Sequence, residues 1–211
     1  MGVIRTAAAK ARQEERTERR RTQILDAARA CVRAEGFHAA SVGRIAAEAS
    51  VSVGHIYQYF ESKEAVMIAL SERDLEDFMS HLMQSDDGDT TNVDAVIQTL
   101  VSRIMWLMSY ERAALALDVM TEASRNAKVA DLVLSTDRRI RAAVRAIIGP
   151  ILADQSEKQM RICIETILLI TRALVVHAGT HRISDPGDIA AGLERSFRGL
   201  LSYPDQSVSG S

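Results

Sequence analysis

Between Glu157 and Ala178 the chain runs almost without a polar face. Ile162, Ile164, Ile167, Leu168, Leu169, Ile170, Leu174, Val175 and Val176 point to nearly every side of a helix. A helix that is apolar all round must be covered on both sides. In a chain of 211 residues that makes it either a central helix or a seam between two subunits. It is not read as a membrane span: the best run, 162–176, falls short of ~20 residues and contains Glu165 and Arg172.

Helical periodicity extends through the rest of the chain. Only 3 prolines interrupt it, Ala, Leu, Arg and Glu abound, and no alternating β-branched run calls for a strand. The spacing predicts about nine helices, near 22–35, 42–49, 52–59, 63–83, 92–109, 111–125, 127–148, 157–178 and 186–201. Their apolar stripes are regular, for example Ile24, Leu25, Ala28, Cys31 and Val32 in the first, and Ile189, Leu193, Phe197, Leu200 and Leu201 in the last. Gly36 closes the first helix and Gly149-Pro150 the seventh. The segment 84–92, QSDDGDTTN, has no closing Glu for a calcium loop and reads as a plain turn.

The balance of 47% hydrophobic and 26% charged residues is that of a soluble globular protein. The net charge of −2 is unevenly distributed. Residues 1–63 hold 11 Lys+Arg against 7 Asp+Glu, and the remainder 15 against 21. A basic head on an acidic body suits a nucleic-acid-binding protein. Residues 1–21 read as a flexible basic arm, turning helical toward Arg21. Cys31 and Cys163 lie on apolar helix faces, which suggests a reducing, cytoplasmic location and no disulfide scaffold. His38, His55, His81, His177 and His181 show no metal spacing. With no glycine-rich phosphate loop and no nucleophile–base set, neither metal, cofactor nor catalytic residue is expected, and the chain is read as not an enzyme.

The stretch Ser41–Lys63, SVGRIAAEASVSVGHIYQYFESK, carries the chemistry. Val42, Ile45, Ala46 and Ala49 form one helical face behind a Ser41 cap. Ser52 caps a second short helix with Val53, Ile56 and Phe60 turned inward. His55, Tyr57, Gln58 and Tyr59 are left outside, a surface of donors and rings without a carboxylate. That suits phosphates and base edges. Spacing alone leaves two readings open, a helix-turn-helix and an αα-hairpin packing its aromatics on a neighbour.

Residues 22–70 closely resemble the N-terminal domain of TetR-type (tetracycline-repressor-like) regulators. The likeness is spread over ILDAA, the EGF turn, IA-AE, VS-G-IY-YF and SKE. It implies a division into an arm (1–21), a helix-turn-helix domain (22–67), a ligand-binding and dimerisation domain (68–203) and a loose tail (204–211). It also implies a homodimer joined by its last two helices, on a palindromic double-stranded DNA operator. Ser52, Val53, Gly54, His55, Tyr57, Gln58 and Tyr59 would form the contact surface. Tyr57 and Tyr59 would bond phosphates, and His55 and Gln58 would face base edges. Ser41, Arg44 and Lys63 would meet the backbone. This chain departs from the pattern at Ser50, where the family turn carries Gly, and at Val53, where many members carry Lys. Helix 4, which joins head to body, would transmit the effect of a small hydrophobic effector. Phe78, Leu82, Met83, Leu100, Ile104, Met105, Trp106, Met108 and Met120 are the candidate pocket, with Glu122 and Arg172 as polar anchors. Ordinary core packing and surface ion pairs account for the same residues. A DNA-binding dimer without a ligand, or an activator, stays open as the alternative.

Overall fold

In a computed structural model of the chain, the structure describes residues 2–36, 39–84, 91–181 and 184–202, the side chains of 2–8, 110 and 111 apart. The expectations for Phe37, the middle of the 84–92 turn and the tail beyond 202 lie outside the described residues. Among the described residues the fold is all-α. The elements are α1 (Gly2–Glu35), α2 (Val42–Glu48), α3 (Val53–Tyr57), α4 (Lys63–Leu82), α5 (Val93–Leu107), α6 (Tyr110–Ala123), α7 (Ala127–Ile148), α8 (Glu157–Thr180) and α9 (Pro186–Leu201), with a 3-10 turn at Pro150–Leu152. The chain divides into two compact units, Met1–Asp74 and Leu75–Ser211.

The first unit departs from expectation at its start. The arm expected to be flexible is helix from Gly2 onward, continuous with the rest of α1. Ala, Arg, Glu and Gln are strong helix formers, and pairs one turn apart, Lys10–Glu14 and Glu15–Arg19, stitch the exposed segment. Farther along, Ile24, Leu25, Ala28, Cys31 and Val32 are buried, as their spacing predicts. Ile45, Ala46 and Ala49 of α2, Ile56 and Phe60 around α3, and Val66, Met67 and Leu70 of α4 are buried as well. Gly36 ends α1 at φ 85, its N–H donating to the Val32 carbonyl at 2.8 Å.

In the second unit α5, α6, α8 and α9 share one large apolar cluster, with Val144 and Ile148 of α7 joining it. A smaller cluster gathers Met79 and Leu82 of α4 against Ala143 of α7. α8 crosses α6 closely at Gly179: an added Cβ would stand 2.6 Å from Leu117 Cδ1 and 3.0 Å from the Ala113 backbone. Arg103, buried on α5, donates to the carbonyls of Leu82 and Gln84 at the end of α4. Those carbonyls are what a helix end leaves unpaired, and a cation suits that end of the dipole.

α8 corrects one expectation. It is 24 residues long and, by length and composition, apolar enough to cross a membrane; no other helix among the described residues is. Cys163, Ile164, Ile167, Leu168 and Val175 face the core, but Ile162, Leu169 and Val176 are exposed. Only 33% of its apolar window is buried within the chain. On α9, Leu193 and Phe197 of the apolar stripe are buried in the protomer's own core.

Candidate nucleic-acid interface

The turn between α2 and α3 is closed by a reciprocal pair of backbone bonds. Val51 N–H reaches the Ala46 carbonyl at 2.9 Å and Ser50 N–H the Ala47 carbonyl at 3.1 Å. This helix ending needs a left-handed residue at Ser50, and Ser50 adopts φ 54. The substitution of Gly by Ser therefore leaves the turn's shape intact, at a cost of about 1 kcal/mol.

Serine caps set both helices of the motif. Ser41 Oγ accepts from Arg44 N–H at 3.2 Å, and Ser52 Oγ from His55 N–H at 3.1 Å. A third, Ser62, accepts from Ala65 N–H at 3.1 Å and starts α4. Glu64, in that first turn, is held below its ordinary pKa by hydrogen bonds from its own backbone N–H and from Ser62.

The outward surface comprises Ser41, Arg44, Ser52, Val53, Gly54, Tyr57 and Gln58, all exposed. Val53, expected inward, is 41% exposed, because it stands in the first turn of a five-residue helix while Ile56 and Phe60 take the core positions. Tyr57 is 51% exposed. A Cβ added at Gly54 would meet nothing nearer than Ser52 Oγ at 4.0 Å. Lys63 is half-buried at the start of α4. His55 turns partly inward. Its ring meets Tyr59 edge-on at 5.3 Å, Tyr59 is half-buried, and His55 Nε2 is shielded with no hydrogen-bond partner. Arg44 binds Glu35 of α1 through Nε at 2.8 Å and Nη2 at 2.6 Å.

Two supporting residues escape a reading by apolar spacing, since both look like plain helix surface. Arg21 donates to the Tyr59 carbonyl at 3.1 Å and lies 4.6 Å over the Phe60 ring. Gln23 Nε2 donates to the Ala49 carbonyl at 2.8 Å. Together they fasten the ends of α2 and α3 to α1.

The residues named for an effector fall in two apolar clusters and on the surface. Leu100, Ile104, Met105 and Met108 belong to the large cluster, and Phe78 and Leu82 to the small one. Met83 and Met120 are exposed, and Glu122 is half-buried. Trp106 stacks on His81 with centroids 4.1 Å apart, and Arg112 lies 3.9 Å over its ring. Arg172 binds Asp137, which also holds Arg141. Among the described residues no cluster of three or more His, Cys, Asp or Glu offers a metal site.

Short capped helices presenting polar and aromatic side chains from a tight turn define a helix-turn-helix DNA-binding head. Residues 24–70 match the family model of bacterial regulatory proteins, tetR family. Over that segment the chain is similar to that family. The HTH-type transcriptional regulator UidR of Escherichia coli K12 is 34% identical over 110 residues, 52% of this chain and 55% of that relative. The chain thus spans about half the length of the curated relatives it matches first. GusR of Salmonella enterica superposes with a TM-score of 0.68 at 25% identity, covering 87% of this chain and 96% of that one. FadR of Bacillus subtilis, solved with stearoyl-CoA, gives 0.69 at 17% identity over 87% and 99%, a likeness of fold.

Proposed function

We propose that the chain is a homodimeric, ligand-responsive transcriptional repressor that places α3 of each protomer in the major groove of a palindromic operator. The carboxylate-free surface of Ser52, Val53, Gly54, Tyr57 and Gln58 carries this reading. Gln58 reads a base edge, and Tyr57 and Lys63 bond phosphates. His55 serves the head's packing in this arrangement, through Tyr59.

A head this small specifies little DNA alone, and two heads across a twofold axis read half-sites about one helical turn apart. The uncovered line Ile162–Leu169–Val176 on α8 supports a second copy as its cover. The exposed Gly192, Ser196 and Gly199 on α9 allow close approach. A small hydrophobic effector in the second unit releases the operator by favouring another head spacing. The stearoyl-CoA in FadR supports an acyl compound as the first class to try.

Capture of genomic fragments by the purified protein, read against the promoter beside its own gene, tests the proposal. Absence of preference for any duplex at low ionic strength, with or without effectors, refutes it. Thermal-shift screening with acyl compounds, bile salts and hydrophobic drugs tests the ligand.

A further inference from the structure

The contact between Gln23 and Ala49 fixes which side of α1 faces the α2–α3 turn, and a row of arginines continues along that side. At about 100° per residue, Arg12, Arg16, Arg19, Arg20 and Gln23 share roughly 100° of the helix circumference. Glu14, Glu15 and Glu18 occupy a separate arc of similar width. Arg12, Arg16 and Arg19 are exposed. Arg19 is steadied by Glu15 at 2.7 Å, and Arg20 Nη1 donates to Gln23 Oε1 at 2.7 Å. A helix that needed only to be solvated would mix its charges around the axis. This one sets Arg12, Arg16, Arg19 and Arg20 on the Gln23 side, while Arg21, across the axis, is engaged by Tyr59 and Phe60.

We propose that this row is a second DNA contact, lying along phosphates that flank the half-site beyond the reach of α3. The proposal rests on the DNA-binding reading above. From Gln23 back to Arg12 the helix extends ~16 Å, or about five base pairs of duplex. Arginine forks fit phosphate oxygens. The contact would therefore set affinity, footprint and salt dependence and leave base choice to α3.

The test uses the full chain and a duplex from its captured fragments, with flanks trimmed to the half-sites or extended by about five base pairs. The variants are Arg12→Gln/Arg16→Gln/Arg19→Gln, the matching Arg→Lys set, and Glu14→Gln/Glu18→Gln, with helicity followed by circular dichroism. The unaltered protein is expected to bind the extended duplex about tenfold more tightly. The Gln set should lose that preference and show a log–log salt slope shallower by about 2–3 per bound chain. The Lys set should keep both, and the acidic-face variant should bind no more weakly than the parent. A Gln set that keeps the parent slope and flank preference overturns the proposal. So does one that loses only binding to phosphatidylglycerol vesicles, which would make the row a membrane contact. If the unaltered chain binds no duplex, both readings fall; if it binds without sensing flanks, only this one does.

Discussion

Asp26 of α1 accepts from Arg73 of α4 at 2.8 Å, and one turn farther along α1 Arg29 pairs with Asp74. Acid and base are exchanged between the two pairs, so α1 holds the middle of α4, at Arg73 and Asp74, in a single register. The bridges differ in burial: the Asp26 side chain is 64% exposed and that of Asp74 15%. Double-mutant cycles with alanine are expected to give Arg29/Asp74 a coupling of about 1–2 kcal/mol, because truncation strands a shielded charge. Asp26/Arg73 should give under about 0.5 kcal/mol. Thermal denaturation measures both, and equal couplings would contradict the burial argument.

Ser50 holds a backbone conformation that glycine adopts freely. Ser50→Gly is expected to raise stability by about 0.5–1 kcal/mol, the relief being partly offset by a more flexible unfolded chain. Ser50→Val should lower it by more than that. Melting temperatures of the isolated variants decide the matter, and a destabilising glycine would refute the strain.

The proposed seam makes different demands on α8 and α9. Leu169→Glu with Val176→Glu should yield folded monomers, visible by light scattering with helicity unchanged. Leu193→Glu with Phe197→Glu should instead abolish cooperative unfolding, since both side chains are buried in the protomer. A persistent dimer in the first variant would remove α8 from the seam.

Tyr57→Phe together with Lys63→Ala is expected to weaken binding to all duplex sequences alike and to flatten its salt dependence by about 1 per chain. Titrations at several salt concentrations provide the slope, and an unchanged slope would refute the phosphate assignment.

Burial pushes the Asp137 carboxyl up, but bonds and charges from Arg141 and Arg172 outweigh it and leave it below its ordinary value. A depressed folded-state pKa gives stability that is complete above the unfolded value, about 3.9. That stability is lost as pH falls through the folded value. Asp137→Asn should therefore lower the melting temperature at pH 7 and show a smaller further loss below about pH 4. Parallel acid melts check this, and identical pH profiles would contradict it.

Where apolar spacing governs, the fold could be read from the chain: Ile24, Leu25, Ala28, Cys31 and Val32 all face inward. Spacing misleads where small residues or chain ends decide. On α9 the apolar stripe marks the protomer's own core, while the exposed positions include small residues such as Gly192 and Gly199, which carry no hydrophobic signal. In α3 the periodic set Val53, Ile56 and Phe60 overruns a helix of five residues, so Val53 falls outside the core. Charge periodicity in α1 was present in the sequence. Its meaning needed Gln23 placed against Ala49, a contact between residues 26 positions apart.

Arg103 bonds main-chain oxygens at Leu82 and Gln84. An anchor of that kind recognises the path of the chain and is indifferent to the side chains at those two points. Position 84 can drift in identity with this joint preserved, whereas Leu82 is held in addition by its apolar cluster. Residue 103 has no such latitude, because no other side chain type offers the same planar fork of donors.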